Sequence, residues 1–142
     1  MEKNIIQPVP TDPVCSLKSI AHTQVKEVNL SFFQGHAGKI SSLKEAASVL
    51  QALYQSPQVA KSDHLVYAYS LTDENGMKIT GNSDDGEYAA SRLIADVIAQ
   101  EQQSNIIIAI SRRHEGPNLG RQRFNIFSSL AKEVLETLTE SM

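Results

Sequence analysis

The chain has 142 residues, a net charge of −3 at pH 7 and a single cysteine, and 41% of its residues are hydrophobic. This length predicts one domain with its own core, and the average composition excludes a fibrous or largely disordered chain. Cys15 alone excludes an internal disulfide framework, and the acidic balance argues against the overall basic field of a non-specific nucleic-acid binder.

The N-terminal segment differs in composition from the rest of the chain. Residues 1–25 contain three of the five prolines and no sustained periodicity, which predicts an extended arm before a domain at residues 26–140. The segment lacks the apolar run of a secretory signal, and no run approaches the roughly 18 apolar residues that cross a bilayer. We therefore expect a cytoplasmic protein with no membrane contact.

The first predicted elements are a strand and a helix. Apolar and polar residues alternate over residues 28–35, which predicts a half-buried strand. Ser42 and Glu45 have the spacing of a capping box, so a helix is predicted to begin there and to stop before Pro57.

A β-hairpin and a second helix are predicted next. Residues 65–71 and 77–80 are rich in strand-forming side chains and are separated by a turn that contains Gly76. Apolar residues then recur at helical spacing from Ala90 to Val97, which predicts the second helix.

The last predicted elements are the core strand, a loop and a third helix. Residues 106–110 form a continuous apolar run, typical of a strand that is central in a sheet or covered on both faces. A loop is predicted at residues 111–122, and apolar spacing over residues 124–138 predicts the final helix. The order β α β β α β α predicts an α+β two-layer sandwich, with helices on one face of a mixed sheet.

Four strings of sequence match a known pattern in order and spacing: SFFQGHAG at 31–38, SDHLVYAYSL at 62–71, SDDGE at 83–87 and SRRHEGPNLGRQRF at 111–124. They resemble the Impact family, which includes the eukaryotic translation regulator Impact and bacterial YigZ-type proteins. The resemblance covers residues 28–138. It implies a fold similar to the second domain of small-subunit ribosomal protein five.

The resemblance also implies a function. It points to a non-enzymatic protein that binds other macromolecules in translation regulation or amino-acid-starvation stress control, with a partner in the translation or stress-kinase machinery. In eukaryotic members a preceding RWD domain binds the activator of the starvation kinase. Only about 27 residues precede the first predicted strand, so we expect the RWD domain to be absent and this chain alone not to compete for that activator.

Arginine is concentrated in the predicted loop after the core strand. Residues 111–123 contain four Arg and one Glu, a formal +3, whereas residues 63–101 contain eight acids and two bases, a formal −6. Guanidinium groups bind phosphate through a planar fork, so a nucleic-acid or ribosome-binding module that uses loop 111–123 is an alternative function. Internal pairing with the acids at 84–87 is the interpretation we favour. The candidate anion-binding or partner-binding residues are Arg112, Arg113, Arg121, Arg123 and His114.

Acidic residues cluster just before the second helix. Carboxylates at that place can accept the free N–H groups of the first helical turn, and we favour this capping role over a Mg²⁺ site. No metal or other cofactor is predicted. The residues assigned to structural motifs are Asp84, Asp85, Gly86, Glu87, Gly116 and Gly120.

Catalytic chemistry has little support in the sequence. No nucleophile, zinc or phosphate-loop motif accompanies His36, His64 or His114, so a phosphate-ester enzyme is the least favoured class. Tyr67 and Tyr69 share one face of a strand, which suits either core packing or the stacking of RNA bases. Core packing is favoured, and the oligomeric state is left open.

Overall fold

The computed structural model describes residues 19–117 and 119–140 of the chain. This part contains six strands and four helices. The strands are β1 (Ala21–His22), β2 (Lys26–Val28), β3 (Ser31–Lys39), β4 (His64–Thr72), β5 (Lys78–Ser83) and β6 (Ile106–His114). The helices are α1 (Leu43–Gln55), α2 (Pro57–Ala60), α3 (Ala90–Gln100) and α4 (Gln122–Glu140).

All six strands belong to one sheet, in the order β1-β3-β6-β4-β5, with β2 also paired to β3. Every described pair is antiparallel, so the expectation of a mixed sheet does not hold. The reason is the position of β6. It lies between β3 and β4, which run parallel to each other, and so keeps the two parallel strands from pairing.

Helices cover both faces of this sheet, because β6 alternates between two cores. Ile106, Ile108 and Ile110 pack with α3 and α4, whereas Ile107 and Ala109 pack with α1 and α2. The α+β class is confirmed, but the helices lie on both faces instead of one. The continuous apolar run of β6 is the sequence signal for this arrangement, since a strand buried on both faces does not alternate.

The local signals around α1 are confirmed. The Ser42 hydroxyl accepts a hydrogen bond from the Glu45 N–H at 3.1 Å. The Glu45 carboxylate reaches back one residue further than a standard capping box, to the Ser41 N–H at 2.7 Å. Helix α1 ends before Pro57, which opens the short helix α2.

The strand predicted at residues 28–35 is divided by a turn. Asn29 and Leu30 have φ angles of 50° and 66°, the left-handed conformation of a tight hairpin, and they separate β2 from β3. Strand β3 then runs past Gly35 to Lys39. Gly35 does not end the strand; its missing side chain lets α4 approach, because an added Cβ would lie 3.2 Å from an α4 side chain.

The predicted arm at residues 1–25 lies largely outside the described residues, and its described end is packed on the sheet. Ile20 is buried, and β1 pairs with β3. The Thr23 N–H donates to the Gly35 carbonyl at 2.9 Å. Residues 19–25 therefore extend the sheet, while the domain bounds 26–140 stay a prediction. No described helix has the length and apolar character required to cross a membrane.

Candidate functional site

Strand β6 continues past its apolar run and carries two of the candidate arginines. It pairs with β3 as far as His114, so the predicted loop does not begin at Ser111. Because successive strand residues point to opposite faces, Arg112 faces α3 and α4, and Arg113 faces the side of α1 and α2. The arginine cluster expected from the sequence is therefore split by the sheet.

Glu87 is a buried carboxylate, only 4% exposed, with three basic side chains around it. Arg112 Nη1 donates to Glu87 Oε2 at 2.6 Å, and His64 Nε2 lies 3.7 Å from the same oxygen. Arg123 Nε lies 3.2 Å from Glu87 Oε1, at ion-pair distance but without the alignment of a hydrogen bond. We call these four residues the Glu87 cluster. The favoured interpretation of internal pairing applies to Arg112 and Arg123.

Arg112 is buried, and its two terminal nitrogens bind groups inside the fold. The residue is 4% exposed, its Nη2 donates to the Ser31 hydroxyl at 3.2 Å, and its guanidinium lies 5.2 Å from the centre of the Phe33 ring. An anion from solvent cannot reach a guanidinium that is buried and already paired. The anion-binding role expected for Arg112 therefore does not fit the structure.

Arg113 and His114 lie at the surface, in separate contacts. Arg113 stacks 4.5 Å from the centre of the Phe32 ring and forms an ion pair with Glu115. The exposed His114 ring stacks on His64, with 5.9 Å between ring centres. Arg113 therefore does not converge with the other candidate arginines, whereas His114 touches the Glu87 cluster through His64.

The remaining candidate arginines lie at the start of α4. Arg123 belongs to the Glu87 cluster, and its Nη1 also donates a hydrogen bond to the Gly120 carbonyl at 2.7 Å. Arg121 is exposed, and no described acid pairs with it. The structure thus brings together Arg112 and Arg123, with His114 at the edge of their cluster through His64, and leaves Arg113 and Arg121 apart.

Asp84 and Asp85 accept hydrogen bonds from different elements of the fold. Asp84 Oδ1 accepts from the Ser91 N–H at 2.9 Å and from the Ser91 hydroxyl at 2.6 Å, and Oδ2 accepts from the Ala89 N–H at 3.1 Å. Asp84 therefore satisfies the start of α3, as a cap should. Asp85 does not: its Oδ2 accepts from the Leu65 N–H at 2.7 Å and so holds the beginning of β4.

The three glycines assigned to structural motifs occupy positions that a side chain would strain. Gly86 and Gly120 have φ angles of 90° and 59°, in the left-handed region. A Cβ at Gly116 would overlap the Asn29 carbonyl oxygen in the turn between β2 and β3. Each glycine therefore supports the path of the chain.

Residues 84–89, which we call the 84–89 loop, expose one aromatic side chain. Three of its residues have positive φ angles: 47° at Asp85, 90° at Gly86 and 67° at Ala89. Between them Glu87 is directed inward and Tyr88 outward, the latter 81% exposed. Sequence reasoning missed Tyr88, although an aromatic residue outside every apolar repeat is a usable signal.

A second polar group lies on the opposite face of the sheet. His36 is 2% exposed, with its Nε2 2.9 Å from Ser111 Oγ and its Nδ1 2.8 Å from His22 Nδ1. Burial, and to a smaller extent His22, lowers the pKa of His36 to about 3. His36 is therefore neutral near pH 7, which makes it a weak general base.

The aromatic pair of β4 is buried in the structure. Tyr67 and Tyr69 are 6% and 5% exposed and pack against the α1 core, so their core role is confirmed. No group of three or more His, Cys, Asp or Glu residues that could hold a metal ion occurs in residues 19–117 and 119–140.

These features define a class of α+β domain: one antiparallel sheet, helices on both faces, and a buried glutamate-arginine cluster that fixes an acidic loop. The family model of the Impact N-terminal domain matches residues 29–135, and the chain belongs to this family. The predicted resemblance is confirmed.

Individual relatives agree with this assignment. Protein IMPACT homolog of Schizosaccharomyces pombe is 33% identical over 105 residues, which are 74% of this chain and 38% of that protein. A solved structure described as a hypothetical protein has a TM-score of 0.73 and 17% identity, covering 85% of this chain and 59% of the other. The structure of the two-domain translational regulator Yih1 has a TM-score of 0.61 and 22% identity, covering 96% and 54%. The two structures share the fold, and this chain spans less than two thirds of each of these proteins.

Proposed function

We propose that this chain takes part in translation regulation by binding a protein partner, and that Tyr88 on the 84–89 loop anchors the contact. The setting is supported by family membership and by the names of relatives, among them a translational regulator. The observation that carries the binding surface is the exposure of Tyr88, at 81%, on a loop whose neighbouring residue Glu87 is buried.

The backbone of the loop supports a functional role. Asp85 and Ala89 occupy the left-handed region, which costs roughly 1–2 kcal/mol for a residue such as alanine and less for aspartate. Such strain persists only where surrounding contacts impose it, and it clusters at functional positions. Here the hydrogen bonds of the Asp84 carboxylate and the ion pair of the buried Glu87 side chain hold the loop in this conformation.

A fixed loop with an exposed tyrosine suits a protein interface. Tyrosine is enriched among the residues that dominate binding energy, since it offers a large apolar ring with a polar end. A loop that is already held in place loses little conformational entropy when a partner binds. The Glu87 cluster is thus a support for the surface, and its charges are directed at one another instead of at solvent.

The charge distribution favours a protein over a nucleic acid as partner. Of the four clustered arginines, Arg112 is buried and Arg123 is paired with Glu87. The exposed Arg121 and the half-buried Arg113 remain, and Arg113 is paired with Glu115. Few free phosphate contacts are left, so nucleic-acid binding would be weak at physiological salt. We therefore propose a binding role without a chemical step.

The test is a quantitative pull-down from extracts of fed and starved cells, with the purified chain as bait. Tyr88→Ala removes the proposed anchor, and Met77→Ala is the matched control, since Met77 is 64% exposed in the turn between β4 and β5. We expect wild type and Met77→Ala to enrich the same translation factors or ribosomal proteins, and Tyr88→Ala to lose them. Equal enrichment by all three proteins would refute the proposal. Capture of RNA that falls steeply with salt would favour the nucleic-acid alternative.

A further inference from the structure

A pocket of about 390 Å³ lies on the side of the sheet away from the Glu87 cluster. Gln34 of β3 and Ser111 of β6 are neighbours across the strands at its base, and residues 57–62 form one wall. Arg113 lines the pocket, whereas Arg112, one residue earlier, enters the Glu87 cluster on the opposite face. The pocket is therefore independent of the surface proposed for the protein partner.

Among the described residues, the pocket is lined by two cations, Lys61 and Arg113, and by no acidic side chain. Stacking on Phe32 fixes the plane of the Arg113 guanidinium. Its ion-pair partner Glu115 has a side chain that is 56% exposed, and such solvent-screened pairs are weak. An incoming anion can therefore replace the Glu115 carboxylate, and a guanidinium beside an ammonium group suits a phosphate.

The base of the pocket offers a hydroxyl whose proton can turn toward a ligand. Ser111 Oγ lies 2.9 Å from His36 Nε2, and His36 Nδ1 lies 2.8 Å from His22 Nδ1. In one tautomer of the neutral His36 ring, Nε2–H donates to Ser111 Oγ and Nδ1 accepts from His22. The Ser111 proton is then available to donate to a phosphate oxygen, since the acceptor that it faces within the described residues, the Gln34 carbonyl, lies at the long distance of 3.4 Å.

The volume of the pocket and its partly apolar wall favour an organic ligand over an inorganic ion. Pockets for small molecules begin at roughly 300 Å³, a volume well above that of one phosphate group. Val25, Phe32 and Pro57 add apolar surface to the wall. We propose that this pocket binds a small phosphate monoester, with the phosphate at Lys61, Arg113 and Ser111 and the organic part against the apolar wall.

The test is calorimetry with phenyl phosphate as the probe. We expect millimolar or tighter binding to wild type, weakened about fivefold by Lys61→Gln, because one exposed cationic contact is lost. The matched control is Lys39→Gln, which removes an exposed lysine at the far end of β3. Amide resonances of Ser111 and Gln58 should shift on titration, and that of Glu87 should not.

Several results would overturn the proposal. Absence of binding would do so directly, as would equal weakening by Lys61→Gln and Lys39→Gln. Binding of inorganic phosphate as tightly as phenyl phosphate would remove the organic part of the ligand from the proposal. Tighter binding of benzoate would replace the phosphate with a carboxylate.

Discussion

Replacement of Arg112 by methionine should destabilise the domain strongly, because it leaves the Glu87 carboxylate buried without its closest partner. The two groups are 2.6 Å apart, and their side chains are 5% and 4% exposed. Removal of one member of such a pair typically costs 3–5 kcal/mol. Arg123 and His64 still lie 3.2 and 3.7 Å from the Glu87 oxygens, so we expect the lower part of that range, about 3 kcal/mol.

Urea unfolding followed by circular dichroism measures this loss as a lower midpoint at unchanged slope. The matched control is Arg113→Met, the next residue of β6, whose ion pair with Glu115 has side chains 38% and 56% exposed. That pair and the stacking on Phe32 should together be worth about 1 kcal/mol or less. The double variant Arg112→Met with Glu87→Met removes both buried charges and should cost less than the two single changes added together.

The reasoning would be refuted by a loss below about 1 kcal/mol for Arg112→Met, or by equal losses for the two arginine variants. Strict additivity in the double variant would also refute it, because additivity means that the two side chains do not interact.

Three further changes test the fold. Ile107→Ala should cost about 2–5 kcal/mol in urea unfolding, since Ile107 is 1% exposed in the α1 core, whereas a loss under 1 kcal/mol would contradict its burial. Asp84→Ala should lower the unfolding free energy by about 0.5–2 kcal/mol through loss of the α3 cap, and an unchanged melting temperature would contradict that role. The pKa of His36 falls from 6.5 to about 3 on folding, so the unfolded chain binds more protons between these values and stability should fall as pH falls through this window. His36→Gln should remove several kcal/mol of this acid sensitivity, as measured by unfolding at pH 7 and pH 4, and an unchanged pH dependence would contradict the assignment.

Local signals predicted most of the elements. The capping pair Ser42 and Glu45 placed the start of α1, and the turn at Gly76 placed the hairpin of β4 and β5. Each signal lies within about four residues of the feature that it predicts, so the sequence alone is sufficient to locate that feature. The continuous apolar run of β6 also indicated burial on two faces, although the sandwich was expected to have two layers.

The errors came from contacts between distant residues. Arg112 lies in a polar, glycine-containing segment whose composition predicts a loop. It is a strand residue in the structure, because Glu87, 25 residues away, neutralises its charge inside the core. Asp85 resembled a helix cap but binds the Leu65 N–H, 20 residues away. Periodicity within one element carries no information on such partners. The exposure of Tyr88 depends on the inward direction of Glu87, so it too follows from these distant contacts.

The most direct test of the account is photo-crosslinking from position 88 in living cells. A photoreactive phenylalanine analogue at position 88 keeps an aromatic ring where Tyr88 is exposed, and the same analogue at position 77 serves as the control. The account predicts crosslinks from position 88 to a component of the translation machinery, and few from position 77. Crosslinks of equal yield and identity from both positions, or none from position 88, would contradict the proposed role of the 84–89 loop.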